Sequence, residues 1–281
     1  MKGLKQEINY FTCLVIRMRI NKVKLFVNDT EKSNEVLITL KESLIKRNIE
    51  IVEEDFDLGI AIGGDGTFLR MITDTNFNTN VYYVGINSGT LGFAQDIGIE
   101  EIDDFIDCLK KDNFNYEEIS IQEVEIVTKE ETFNLKSLNE ILIRDDSLKT
   151  VKFDIYINGE LLEKFKGDGI LVSTSFGSTA YNLNLGGSIV YNTFDTLQIT
   201  PIAPQNNKVT RSLTNSVIIP SNNKVTIIPN KDNSLLLMVD GNNYIFDNIL
   251  EVNTVIKDIR IKLIRKDNYN FIRKINDKFL T

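Results

Sequence analysis

The sequence predicts an α/β fold in two parts, an N-terminal doubly wound α/β domain and a C-terminal β-rich, sandwich-like domain. Three observations carry this expectation. From Lys22 onward, apolar runs of strand length alternate with stretches of helical period. The run Leu58–Ile62 is apolar throughout, as in a parallel strand buried on both faces, and it opens directly into Gly63-Gly64-Asp65-Gly66-Thr67. After about Tyr116 the helical period fades, and strand-like runs separated by turn residues take over.

In chain order, Val23–Val27 is a short strand. Residues 30–47 place Val36, Leu40 and Leu44 on one helical face, with Asp29 or Thr30 as N-cap. Leu58–Ile62 is the next strand, and Phe68, Leu69 and Ile72 mark a helix after the glycine loop. Val81–Ile86 is a strand, and Ile99, Ile102, Phe105, Ile106 and Leu109 lie on one side of an amphipathic helix. Strand runs follow at Glu123–Thr128, Asn139–Arg144 and Lys152–Ile157, and then Asn158-Gly159, a strong two-residue hairpin signal. Further strands are expected at 216–219, 224–228, 235–239 and 258–264, with long insertions near 167–187 and 200–215. A final helix over Asn270–Leu280 is expected to pack back on the first domain. The resulting division is a loose leader over 1–20, an α/β domain over 21–116 joined by 255–281, and a β-rich domain over 117–254.

Composition narrows the function. The chain has 281 residues, 42% hydrophobic and 26% charged, which is enough for one large or two moderate cores and not a disordered composition. A formal net charge of −8 with no clustered basic excess argues against a polynucleotide partner. Cys13 and Cys108 are far apart and form no CxxC pair, so neither a disulfide framework nor a zinc site is expected. There is no histidine, so proton transfer falls to Asp, Glu, Lys, Tyr or water, and a Ser-His-Asp triad is excluded. No apolar run is long enough to span a bilayer. Tyr10–Ile16 is too poorly flanked to be a signal segment, and Met18 is a plausible alternative start. The cytoplasm is the expected location.

The glycine loop is the first chemical signal. Glycines there let the backbone turn sharply and approach a ligand, and the amides of a following helix suit a phosphate. A carboxylate beside phosphates is repulsive, so Asp65 makes sense as a proton acceptor or as a group that helps hold a metal ion. A solvated turn Asp is the bland alternative, weakened by the loop's place at the carboxyl end of a strand. It is not a Walker A loop, since it has no lysine. Gly85–Phe93 also follows a strand, and alone reads as a structural loop. Asn139-Glu140 opens a β-run, where neighbours face opposite sides unless a strand end re-aims them. The stretch Gly167–Gly187 is a strand between glycine turns followed by a hydroxyl-rich loop ending in Tyr181. Small residues, hydroxyls and an aromatic face are the materials of a binding loop for a heteroaromatic group.

Together these segments resemble the NAD kinase family: GGDGT at 63–67, N-x-G-x-LGF at 87–93, Asn139-Glu140, the GDG…GSTAY…GG block at 167–187, and Pro201-Ile202-Ala203-Pro204 with Arg211. The 167–187 block is the specific element, because GGDGT is shared with several other kinase families. The resemblance implies ATP-dependent phosphorylation of the 2′-hydroxyl of the adenosine ribose of NAD to give NADP, with a divalent ion, Mg²⁺, brought by ATP. It implies Asp65 as general base and Gly66 in the same site. Asn139 and Glu140 would hold the ribose, and Asp168 the nicotinamide end. Thr179, Ala180, Tyr181, Asn182, Leu183 and Asn184 would surround the adenosine, with Arg70, Lys149, Lys166, Ala203 and Asn242 in lesser contacts. It also implies a homodimer or homotetramer with sites completed across subunits. The chain departs from the family at Ser175-Phe176, Asn184 and Gln205. Two other readings fit less well. A lipid kinase of the GGDGT type would carry its Asn-Glu directly after the loop, where Phe68-Leu69 stands here. A non-catalytic NAD sensor would have no use for Asp65.

Overall fold

A computed structural model describes residues 19–89, 92–230 and 234–280. Most of the expected leader, up to Met18, lies outside them. Ile20, assigned to that leader, is fully buried among Val23, Leu40 and Leu58, so the packed core already includes it.

The first half follows the alternating pattern. Strand β1 (Lys22–Val27) leads to helix α1 (Glu31–Lys46), capped by the Thr30 side chain, and then to the short β2 (Glu50–Ile51). Strand β3 (Leu58–Gly63) runs into α2 (Asp65–Asp74), β4 (Tyr82–Asn87), β5 (Gln95–Ile97) and α3 (Ile102–Lys110). The parallel order is β4-β3-β1-β2. Leu58, Ile60 and Ile62 of β3 face α1 and α3, while Gly59 and Ala61 face α2. A Cβ at Gly59 would lie 3.1 Å from the Met71 sulfur, so the small residues let α2 lie close to the sheet.

The second half is built from β6 (Asn115–Thr128), β7 (Thr132–Ser137), β8 (Glu140–Asp145), β9 (Val151–Ile157) and β10 (Glu160–Gly167). After β11 (Gly169–Thr174) come a short 3₁₀ turn and α4 (Tyr181–Asn184). The chain continues through β12 (Thr196–Ile202), β13 (Val217–Pro220), β14 (Val225–Pro229), β15 (Leu235–Val239), β16 (Asn242–Phe246), β17 (Ile249–Arg265) and α5 (Phe271–Phe279). Asn158-Gly159 joins β9 to β10, both residues at positive φ, as a two-residue hairpin turn requires. Strands β13-β12-β11-β8-β15-β16 form one sheet. It packs on the strands β10-β9-β14-β17 through a shared core that includes Ile143, Phe153, Val172 and Val252.

Two details differ from the expected pattern. The expected insertion at 200–215 begins inside β12 of the six-stranded sheet, whereas the strand expected within 167–187 is β11, its neighbour. β12 escapes a period-two reading because Leu197, Gln198, Ile199 and Thr200 are all buried, the polar pair by hydrogen bonding to Ser188 and Asn182. β17 is also much longer than 258–264. Its first half pairs with β14 and its last residues pair in parallel with β4, so one strand ties the two halves together.

Candidate active site

Chain order reverses between β1 and β3, the switch point at which open α/β sheets bind ligands. An open cleft of about 520 Å³ lies there, lined by Asn28, Thr30, Gly63, Gly64, Ser88 and Gly89. Gly63 has φ +150°, and a Cβ on it would sit 2.4 Å from the Thr67 hydroxyl. A Cβ at Gly64 or Gly66 would meet nothing within 4 Å, and Gly64 presents its bare backbone to the opening. Gly64 caps α2 without a side-chain bond, which leaves first-turn amides for an anion. Lys32 on the first turn of α1 also lines the cleft.

Asp65 is the first residue of α2, and its carboxylate is already engaged. Oδ2 accepts from the Phe93 amide at 3.1 Å and Oδ1 from the Ala94 amide at 3.0 Å. Lys278 Nζ on α5 lies 3.3 Å from Oδ2. Gly92 makes this approach possible, since a Cβ there would fall 2.4 Å from Asp65 Oδ1. Arg70, one turn along α2, donates to the Val27 carbonyl at 2.7 Å and so braces the end of β1.

A second group gathers where β8 begins. Asn139 and Glu140 are both buried. Their amides and that of Leu138 converge on the Asp240 carboxylate at 2.8, 3.2 and 2.6 Å. Burial pushes the Asp240 carboxyl up to about 6 against the pull of those amides. Burial, reinforced by the charge of Asp240, pushes Glu140 up to about 8, and Glu140 Oε2 has no protein partner among the described residues. A carboxyl in that state can donate a hydrogen bond at neutral pH. Asp240 did not stand out in the sequence. Its only local sign is Asp240-Gly241, both at positive φ between β15 and β16, which also sets Asn242 beside this group.

The 167–187 block packs directly on this start. The Thr174 amide donates to the Asn139 carbonyl at 2.8 Å, and Gly177 lies so close that a Cβ would meet that oxygen at 2.1 Å. Phe176, the bulky departure from the family pattern, is buried, with its ring 6.5 Å from that of Phe68 on α2. It joins the β-rich half to the helix that carries Asp65. In the loop beyond, Tyr181 and Asn184 are exposed, while Thr179, Ala180 and Leu183 are half-buried. Asn182 is different. It is fully buried, donating to the Ser178 carbonyl at 3.2 Å and accepting from Thr200 Oγ1 at 2.7 Å, so its side chain shapes the loop from within.

Lys149, Lys166, Asp168 and Ala203 do not join these groups within one chain. Asp168 precedes β11 and its amide donates to the Ile202 carbonyl at 2.9 Å, next to Ala203. Gln205 reaches the Lys166 carbonyl at 2.7 Å and Thr150, the neighbour of Lys149. In the β11–β8 register Gly169 faces Arg144 and Ser173 faces Glu140, so Asp168 and Glu140 lie near opposite ends of the pair. At about 3.3 Å per residue that separation is roughly 17 Å.

Among the described residues no helix is long and apolar enough to cross a membrane, and Cys108 is a free thiol. A separate cavity of about 300 Å³ lies between α3 and the end of β17, lined by Phe105, Cys108 and Phe114, and contains none of the predicted site residues.

Comparison with known proteins agrees with this architecture. The ATP-NAD kinase N-terminal domain matches residues 7–114 and the ATP-NAD kinase C-terminal domain matches residues 138–260. An NAD kinase of Finegoldia magna is 40% identical over 269 residues, covering 92% of this chain and 97% of its own. An NAD kinase of Streptococcus gordonii is 34% identical over 262 residues, covering 92% and 95%. In fold, the chain resembles a yeast NADH kinase solved with NADH, at TM-score 0.81 and 21% identity over 93% of this chain and 88% of that one. An Archaeoglobus fulgidus NAD kinase solved with ATP superposes at TM-score 0.72 and 20% identity, over 91% and 98%. Both domain models, in order, and relatives of this identity over nearly the whole length show that the chain belongs to the ATP-NAD kinase family.

Proposed function

We propose that the chain transfers the γ-phosphoryl group of ATP to the 2′-hydroxyl of the adenosine ribose of NAD, giving NADP, with Asp65 as general base. The observation that carries the assignment of the base is the Asp65 carboxylate at the first position of α2, beside bare glycine backbone at the sheet's switch point. In the step, the hydroxyl oxygen bonds to phosphorus as its proton passes to Asp65. The bond from phosphorus to the bridging oxygen breaks, and its electron pair leaves with ADP. One Asp65 oxygen must therefore turn from its amide contact to the substrate.

The phosphates fit the cleft of Gly63, Gly64 and Lys32, and NAD would reach the buried start of β8 at Asn139 and Glu140 and the exposed Tyr181. Among the described residues no three His, Cys, Asp or Glu side chains are grouped to hold a metal by themselves. Glu31 lines the phosphate cleft, an arrangement that fits a Mg²⁺ held mainly by ATP's own oxygens, with this carboxylate as its protein contact. Such an ion would offset phosphate charge.

The placement of Lys149, Lys166, Asp168 and Ala203 far from Glu140 supports a homodimer or homotetramer in which a second copy brings them to the site. Exposed Phe194, Val209 and Ile245 on the β-rich half are suited to such an assembly. The cytoplasm, where ATP and NAD are plentiful and thiols stay reduced, is the proposed location.

The test is purified chain with ATP and NAD, reading NADP through an NADP-specific dehydrogenase. NADP formed in proportion to enzyme supports the assignment, and none at millimolar substrates overturns it. Parallel reactions with polyphosphate and with NADH define donor and acceptor.

A further inference from the structure

Lys278 stands beside Asp65 although 213 residues separate them, with its Nζ 3.3 Å from Oδ2. Helix α5 holds it there. Phe271 is buried, and the Phe93 ring lies 5.9 Å from Phe271 and 5.7 Å from Phe279. Lys274, also buried, donates to the Gln95 carbonyl at 2.8 Å and pairs with Asp96, while Arg265 donates to the Phe93 carbonyl at 3.0 Å and to Asp96 at 2.9 Å. The segment whose amides hold Asp65 is thus clamped by buried cations. Lys278 itself keeps 26% of its side chain exposed and lies 5.2 Å from the centre of the Phe93 ring. Its ammonium is thus held between the Asp65 carboxylate and the Phe93 ring while still reached by solvent.

We infer that Lys278 is a further catalytic residue, the ammonium that meets the transferring phosphoryl group. The inference rests on Asp65 being the general base. Before transfer, Lys278 balances the Asp65 carboxylate. As the ribose O–P bond forms and the bridging bond breaks, the ribose proton neutralises Asp65, and the electron pair of the broken bond departs on ADP. Lys278 loses its partner at the moment when negative charge spreads over the phosphoryl oxygens. An ammonium released in this way stabilises the transition state more than the ground state, which is the condition for raising kcat. A flexible lysine stem allows the short swing from carboxylate to phosphoryl oxygen.

The test compares Lys278→Ala, Lys278→Arg and Asp65→Asn in the full chain, with ATP and NAD as substrates. Lys278→Ala should lose roughly a hundredfold in kcat, the scale for one preorganised transition-state contact, with the KM for NAD and the melting temperature near parental values. Lys278→Arg should recover most of that loss, and added ethylammonium should partly rescue Lys278→Ala. A Lys278→Ala enzyme with parental kcat overturns the inference. So does a loss that comes with a lowered melting temperature and is repaired by neither arginine nor ethylammonium, because Lys278 would then be only a strap for α5. Asp65→Asn reports separately. If it turns over normally, the base assignment falls, whereas failure of Lys278 alone leaves the Asp65→Asn loss standing.

Discussion

Asp240 holds Asn139 in place from 101 residues away, its Oδ1 accepting the Asn139 amide at 2.8 Å. The same carboxylate takes the amides of Leu138 and Glu140, so the start of β8 has its direction set by a turn between two later strands. Asp240→Ala would leave three inward amides without an acceptor. A cost of about 3 kcal/mol is expected from such unmet donors, with NAD affinity falling as Asn139 and Glu140 lose their setting. Urea unfolding and calorimetric titration measure the two effects. Parental values in both would mean that the strand start holds itself.

Glu140 sets a pH dependence. Its folded pKa, about 8, lies above the ordinary carboxyl value, so the folded state keeps a proton that the unfolded chain has already released. The stability this gives is full below the unfolded value near 4.5 and is lost as pH rises towards 8. Glu140→Gln should flatten that decline, so that its melting temperature relative to the parent climbs between pH 5 and 8. Identical slopes for the two proteins would show that Glu140 does not carry the effect.

Asp65→Asn keeps an oxygen for one of the two amides and removes the proton acceptor. Turnover should drop roughly a hundredfold or more while the melting temperature stays within a few degrees. Steady-state NADP formation beside a thermal melt decides it, and near-normal turnover in a folded variant would refute the role.

Tyr181 opens α4 with its ring exposed on the loop beyond Phe176. Stacking of a base on such a ring is worth about 1–3 kcal/mol, so Tyr181→Ala should weaken NAD binding roughly five- to a hundredfold with little change in stability. Unchanged affinity together with a large loss of stability would make Tyr181 a packing residue instead.

The sequence by itself determined the features that are local. The apolar run of β3, its passage into GGDGT, a cap at Asp29 or Thr30, the Asn158-Gly159 hairpin and the family motifs are local signals, where period and turn chemistry act. Tertiary structure alone decided the rest. β12 shows no alternation because both its faces are buried, with Gln198 and Thr200 satisfied by partners on another loop. Asn182, on sequence a candidate for contact with adenosine, turns inward to Thr200, and Phe176 becomes the joint between the halves. Asp240 and Lys278 went unread because a carboxylate in a turn and a lysine on a terminal helix look ordinary until packing brings them to β8 and α2. Their partners lie 101 and 213 residues away, and no local period encodes a contact closed by the packing of the whole core.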